Sequence, residues 1–282
     1  LKDTEIDYLI EARMGDMMPA AKGWITNLVV DKVKKLVPAY QLPQAIAFKS
    51  VLHRGAGQPI RPVPVTLDDT AVLQYTGGTT GLPKGAMLSH GNLVANMQQV
   101  RACLSQHDES GQPILRDGRE VMVAPLPLYH IYAFTANCMG MMVTGNHNIL
   151  ITNPRDIKGF IKELKNWRFT AFLGLNTLFV ALMDHPDFKS LDFSGLKVTN
   201  SGGTALVKAT AERWEKITGC RIVEGYGLTE TSPVASANPC GSLARLGTVG
   251  IPVPGTAMKV VSDDGSDLGL GERGELCVKG PQ

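Results

Sequence analysis

The string Thr76-Gly-Gly-Thr-Thr-Gly-Leu-Pro-Lys84 puts three hydroxyls and one ammonium on a short, glycine-rich stretch. Gly77, Gly78 and Gly81 let the main chain adopt positive φ and come close to a ligand. Free backbone N–H groups, the hydroxyls of Thr76, Thr79 and Thr80, and Lys84 can then surround an anion, and a polyphosphate suits that set best. The string is not a Walker A loop, which needs Gly before the lysine and Ser or Thr after it. Here Pro83 precedes Lys84 and Gly85 follows. Nor is it a dinucleotide fingerprint: in Gly55-Ala-Gly57 the third glycine position is Ile60. On these residues alone, a plain hairpin tip with an incidental lysine stays open.

The second chemical string is Glu224-Gly-Tyr-Gly-Leu-Thr-Glu230. A strand ending at Val223-Glu224 would place it where parallel α/β sheets bind ligands, at the strands' carboxyl ends. Glu230 is a carboxylate of the kind that holds Mg²⁺ together with substrate phosphates. Tyr226 offers a flat face to a purine, and Thr229 a donor to a phosphate or carboxylate. The plain readings are a solvated acid and a packed ring. Ser201-Gly-Gly-Thr-Ala-Leu206 sits between a strand and a helix, where Gly202 and Gly203 admit a flat ligand and Thr204 reads as an N-cap.

The elements that must carry these strings follow from periodicity. Ala71–Thr76 and Gly85–His90 read as strands flanking the glycine-rich stretch. Beyond them helices and strands alternate: helices Asn92–Leu104, Ile131–Met142, Asp156–Trp167, Thr177–Met183 and Leu206–Thr218, and strands Glu120–Ala124, Asn148–Thr152, Phe169–Gly174, Lys197–Ser201 and Arg221–Glu224. Short, largely apolar strands of this kind are covered on both faces, so the expectation is an α/β fold with a mostly parallel sheet layered with helices. After Glu230 glycine and proline become frequent, and Thr256–Ser262 with Arg273–Lys279 reads as a β-hairpin. Residues 1–60 read as a strand at Tyr8–Ala12 and a helix at about Lys22–Val37, with the proline-rich stretch Gln58–Pro64 as connector.

Composition closes several doors. Net charge is +2, with 44% hydrophobic and 19% charged residues, which gives no electrostatic case for a nucleic-acid partner. Five scattered cysteines without a C-x-x-C lack the spacing of a cysteine metal site and argue against a full disulfide framework, and they fit a reducing cytoplasm. No uncharged apolar run reaches the length of a membrane span; the richest, Ile131 to Val143, is short and contains Asn137. No signal peptide is visible.

The glycine-rich string closely resembles the phosphate loop of the adenylate-forming (AMP-binding) superfamily, which includes acyl-CoA synthetases, luciferases and peptide-synthetase adenylation domains. Pro125-Leu-Pro-Leu-Tyr-His130, Gly225–Glu230 and Gly274-Glu-Leu-Cys-Val-Lys-Gly280 resemble its later blocks, in the same order. Asn148-Ile-Leu-Ile-Thr-Asn-Pro-Arg-Asp156 and Arg13-Met-Gly-Asp16 resemble bacterial long-chain-fatty-acid–CoA ligases within it. The likeness runs along essentially the whole chain.

The resemblance implies an acid–thiol ligase that uses ATP, Mg²⁺ and CoA, turning a fatty acid into an acyl-adenylate and then a thioester. It implies catalytic roles for Lys84, His130, Thr229 and Glu230, with His130 orienting the substrate and Glu230 as the metal ligand. Nucleotide contacts are expected from Thr76, Gly77, Gly78, Thr79, Thr80, Gly81, Lys84, Gly202, Gly203, Thr204, Glu224, Gly225, Tyr226, Gly227 and Thr229. An acyl tunnel is expected from Tyr132, Phe134, Met141, Leu175, Leu178 and Phe179. Cys138, Met139, Met141 and Met142 could line an adaptable cavity or simply fill the core.

The expected organisation is a peripheral α/β segment and connector (1–65), an AMP-binding α/β core (66–232) and the start of a small β-barrel lobe (233–282). The resemblance further implies that an upstream segment and a small C-terminal domain lie outside the chain. Trp24, Ile25, Leu28, Val29, Lys32, Lys34, Lys35 and Leu36 suggest an amphipathic helix with a basic side. It reads either as an ordinary surface helix or as one resting on the inner face of a membrane. A homodimer stays open, and an aryl- or amino-acid-adenylating ligase and a non-catalytic nucleotide-binding module stay open as rivals.

Overall fold

The computed structural model describes residues 4–76, 83–107, 111–240 and 243–282. The chain divides into two compact units, residues 1–64 and 65–282.

In the first unit, β1 (Ile10–Glu11) pairs in parallel with β2 (Ile46–Ala47). Helix α1 (Ala20–Leu28) runs on as a π-helical turn, Val29–Val33, and ends before Lys35, which takes φ +47°. The Arg13–Asp16 string meets this helix closely. A Cβ on Gly15 would lie 2.2 Å from the Gly23 carbonyl oxygen, and Gly15 N donates to Asn27 Oδ1 at 2.8 Å. Trp24 and Ile25 are exposed on α1. Helix α2 (Phe48–Gly55) has no side-chain cap, and the sequence pattern did not announce it.

The second unit opens with the antiparallel hairpin β3 (Thr70–Thr76) and β4 (Lys84–Ser89). Helix α3 (His90–Leu104) starts from a capping box in which Asn92 N donates to Ser89 Oγ and Ser89 N to Asn92 Oδ1. Then come β5 (Val121–Ala124), a short α4 (Ile131–Ala133), a π-helical stretch at Phe134–Gly140, and α5 (Met141–Val143). They are followed by β6 (His147–Leu150), α6 (Ile157–Leu164), β7 (Ala171–Gly174) and α7 (Asn176–Asp184). The unit ends with β8 (Val198–Ser201), α8 (Lys208–Thr218), β9 (Ile222–Gly227), β10 (Val234–Ala237), β11 (Ile251–Pro252), β12 (Ala257–Val261) and β13 (Glu275–Lys279).

Among the described residues, seven strands form one sheet in the order β11-β10-β9-β8-β7-β5-β6. Neighbours from β6 to β9 are parallel, and β10 and β11 are added antiparallel at the edge. The mixed α/β, mostly parallel sheet is thus as expected. One difference is that β10 and β11 extend this sheet past the boundary placed at residue 232, while β12 and β13 pair in a hairpin of their own. Their short runs, broken by proline and glycine, carry no periodicity of their own.

Strand alternation divides the sheet's residues between two faces. Val123, Phe172 and Ile222 join Phe160, Phe179, Leu182, Phe188 and Trp214 in the main core with α6, α7 and α8. Met122, Ala171 and Leu173 belong to a smaller cluster with Met141 on the other face. Among the described residues, no helix is long and apolar enough to cross a membrane.

Candidate active site

The hairpin presents the first set of groups. Val72, Ala86 and Leu88 turn inward onto Leu93 and Ile131, and this packing anchors both strands. Thr76 stands opposite Lys84 in register, and its hydroxyl donates to the Lys84 carbonyl at 3.3 Å. Lys84 is exposed and makes no side-chain hydrogen bond or ion pair among the described residues. Gly77, Gly78, Thr79, Thr80 and Gly81 lie outside the described residues.

His130 caps the helical stretch that follows β5. Its Nδ1 accepts from Tyr132 N at 3.2 Å, which leaves Nε2 as the donor nitrogen. Tyr132 donates its hydroxyl to Asn200 Oδ1, and Asn200 Nδ2 donates to the Val223 carbonyl at 3.2 Å. The ring is therefore tied to β8 and β9. Burial pushes the Tyr132 phenol well above its ordinary value, so it stays neutral and donating. Beyond it, Ile131, Thr135, Ala136, Gly140 and Met141, spaced four or five apart along the widened helical stretch, all face one cavity.

The third set follows β9. A Cβ on Gly227 would lie 2.0 Å from the Pro233 carbonyl oxygen, so only glycine lets the chain fold back there. The tight turn Thr229–Thr231 is closed by Leu228 N donating to Thr231 Oγ1 at 2.9 Å. It is backed by Thr135 Oγ1, which donates to the Ser232 carbonyl at 2.8 Å. Thr229 and Glu230 face the cavity, and Glu230 is exposed and free of hydrogen bonds and ion pairs among the described residues. Among the described residues, no group of three His, Cys, Asp or Glu side chains could hold a metal ion.

These sets border a cavity of about 510 Å³. Of the expected residues, Thr76, His130, Tyr132, Met141, Gly202, Gly203, Gly225, Gly227, Thr229 and Glu230 line it. Gly202 packs close to Tyr132: a Cβ there would meet the Tyr132 ring at 3.3 Å. Gly203 takes φ +79°.

Glu224 and Tyr226 do not line the cavity. Alternation along β9 puts them on the opposite face from Val223, Gly225 and Gly227. There Glu224 accepts from Leu206 N at 3.3 Å and from Gly247 N at 3.1 Å, fastening the turn after β8. Thr204 is not the cap of α8: the helix begins at Lys208, its N-cap is Val207, and Val207 N donates to Asn176 Oδ1 at 3.0 Å.

The expected tunnel is only partly a wall of this cavity. Phe179 is fully buried in the main core, its ring centroid 4.8 Å from that of Trp214, and Leu178 packs on the same core. Phe134 packs against the cluster under the hairpin, and Leu175 lies beside Gly203.

The model of the AMP-binding enzyme family matches residues 1–282. The chain belongs to that family. This AMP-binding chain is 48% identical over 282 residues to the long-chain-fatty-acid–CoA ligase of Salmonella typhimurium, covering 100% of the chain and 49% of the relative. It is 48% identical over 279 residues to that of Escherichia coli O6:H1, covering 99% and 48% respectively. It therefore spans about half the length of the curated relatives it matches. Among solved structures, ATP-bound MatB from Rhodopseudomonas palustris superposes with a TM-score of 0.69 at 26% identity, over 84% of this chain and 46% of that one. A long-chain-fatty-acid-CoA ligase from Archaeoglobus fulgidus shares the fold with a TM-score of 0.73 at 24% identity, over 97% of this chain and 53% of its own.

Cavity walls that sequence reasoning missed in this AMP-binding chain are Met97, Val100 and Leu104 of α3, Met122 of β5 and Leu173 of β7. The signal for α3 was present: Leu93, Met97, Val100 and Leu104 recur at helical spacing. What that stripe faces was not written in it.

Proposed function

We propose that this chain is the nucleotide- and acyl-binding portion of a long-chain-fatty-acid–CoA ligase. The observation that carries the reading is one cavity joining the His130, Thr229 and Glu230 edge to a wall of Met97, Val100, Leu104, Met122 and Met141. A polar mouth with an apolar interior suits a carboxylate on a long hydrocarbon chain. Identity of 48% to curated ligases of that class over the whole chain supports it.

In the proposed reaction the fatty carboxylate attacks the α-phosphorus of ATP, forming the mixed anhydride and releasing pyrophosphate. The CoA thiol then attacks the acyl carbon, forming the thioester and releasing AMP. His130, held through Nδ1, would present Nε2–H to the carboxylate and orient it for attack; the carboxylate is already ionised at neutral pH and needs no base. Thr229 would donate to the α-phosphate or the carboxylate. Thr76 and Lys84, with Gly77, Gly78, Thr79, Thr80 and Gly81 as their sequence suggests, would hold the outer phosphates through backbone and hydroxyl donors.

Gly202 and Gly203, which line the cavity, would border the base together with Thr204, Glu224 and Tyr226. Gly225 and Gly227, which line the cavity, would let the nucleotide come close to the main chain. Glu230 fits Mg²⁺: its carboxylate is exposed and unengaged at the cavity edge, and Mg²⁺ takes few protein oxygens beside phosphates. When bound, that ion supplies neutralisation of phosphate charge.

CoA binding and completion of the cycle belong to the whole protein in this reading, as do a cytoplasmic location, a homodimer and contact of α1 with a membrane face. The deciding experiment measures AMP and pyrophosphate release by the full-length protein across fatty, aryl and amino acids. Release that climbs with fatty chain length is expected. Preference for an aryl or amino acid would replace the substrate class, and no release with any of these acids would leave only nucleotide binding.

A further inference from the structure

The cavity is lined by residues from both ends of the parallel strands. Its front lies past the strands' carboxyl ends, with His130 after β5, Gly202 after β8 and Thr229 after β9. Its rear includes Asp117 and Asn146, which precede β5 and β6, and Arg101 from the last turn of α3. Helix α3 is pinned in this direction. Asn96 Nδ2 donates to the Val234 carbonyl at 2.7 Å, where β10 begins, and Cys240 N, past the end of β10, donates to Gln106 Oε1 at 2.9 Å. A strand of four residues such as β5 is about 13 Å long, so a ligand that starts at His130 and fills the cavity runs at least that far.

At the rear the lining changes character. Arg101 Nη2 and Asp117 Oδ2 form an ion pair at 2.5 Å, both side chains about half exposed. Arg101 stands on α3. Asp117 stands on a turn fastened to the opposite wall, where Gly118 N donates to the Thr144 carbonyl at 2.8 Å and Arg119 N to Asn146 Oδ1 at 3.0 Å. The pair therefore ties the two walls of the cavity together, and Leu115 and Val143 also line this end of the cavity.

We propose that the Arg101–Asp117 ion pair closes the rear of the cavity and sets the longest fatty chain it accepts. This rests on the reading of the cavity as an acyl site. A methyl end that reaches the pair must stop there or push the charges apart, and displacing charged partners with hydrocarbon is unfavourable. Removing the pair exposes Leu115 and Val143 to the chain, so more methylenes gain an apolar wall.

The test is the chain-length profile of AMP release by the full-length protein. In the wild type kcat/KM rises about fourfold per methylene and then levels off. In R101A and D117A the levelling moves to longer acids, and the first acids beyond the wild-type plateau gain on the order of tenfold. Short acids and the KM for ATP are unchanged. The charge-swapped double variant, R101D with D117R, returns to the wild-type profile, which loss of fold could not produce. An unchanged plateau in both single variants overturns the proposal. So does a wild type that prefers ω-carboxylated acids, since Arg101 would then be a ligand for the chain's end. No AMP release with any acid overturns the acyl reading itself, and this inference with it.

Discussion

The two faces of the seven-stranded sheet differ in what fills them. On the α6–α8 face, Phe160, Phe172, Phe179, Phe188 and Trp214 are almost wholly buried, and Trp214 has three aromatic neighbours with ring centroids 4.8 to 5.4 Å away. Its Nε1 donates to Thr199 Oγ1 at 3.2 Å, so the buried polar atom is satisfied. On the α3 face the same strands offer Met122, Ala171, Leu173 and Gly227. The covering segment is a π-helical stretch, and about 510 Å³ stays open. Close packing of rigid rings stores stability, while methionine, alanine and glycine under a widened helix keep room for a ligand. One face holds the fold so that the other need not.

Trp214→Ala tests that division most severely. It removes the centre of the aromatic cluster and should cost about 3–5 kcal/mol in denaturant unfolding. A loss below about 1 kcal/mol would mean that the α3 face carries the stability instead.

Glu230→Gln probes the open face in the opposite sense. In the full-length protein, kcat/KM for AMP release should fall on the order of a hundredfold, as when one transition-state-stabilising group is lost. The melting temperature should not move, because the carboxylate is exposed and unpartnered among the described residues. Near-normal release at limiting Mg²⁺ would remove Glu230 from the site.

Met141→Ala should cost about 2 kcal/mol or less, the low end for a buried methionine, since the side chain already borders open space. Calorimetry that gave a loss as large as at Trp214 would erase the contrast between the faces.

Gly202→Ala is the mildest test. Its methyl would meet the Tyr132 ring at 3.3 Å, and that ring is tied to Asn200 and cannot swing freely. The strain is expected to be roughly 1 kcal/mol in unfolding, with the KM for the fatty acid raised. An unaltered melting temperature and KM would show that the ring yields.

Much of this could be read from residues in order. The alternation of helices and strands from Asn92 to Glu224 is reproduced with shifts of a few residues. The hairpin strands around the glycine-rich string appear at 70–76 and 84–89. Elements with weak local patterns were not legible. Helix α2 lacks a side-chain cap, and β10 and β11 are short runs among glycines and prolines, recruited by the exposed edge of β9. The helix expected over 131–142 is continuous but widened between 134 and 140, because hydrogen-bond register is chosen by packing as well as by propensity.

The sequence by itself determined the alternation of elements from Asn92 to Glu224, the family and the strings that gather at the strands' carboxyl ends. Periodicity and short motifs are local, and a glycine such as Gly227 states its own need for close approach. Only the tertiary structure decided which apolar stripe meets which. Phe179 and Met141 both look like tunnel residues in one dimension. Phe179 turns into the aromatic core, and Met141 joins Met97, Val100 and Leu104, more than thirty residues away in the chain, around the cavity. A stripe's hydrophobicity says that it will be covered; the geometry of strand alternation and helix packing says by what, and whether space is left between.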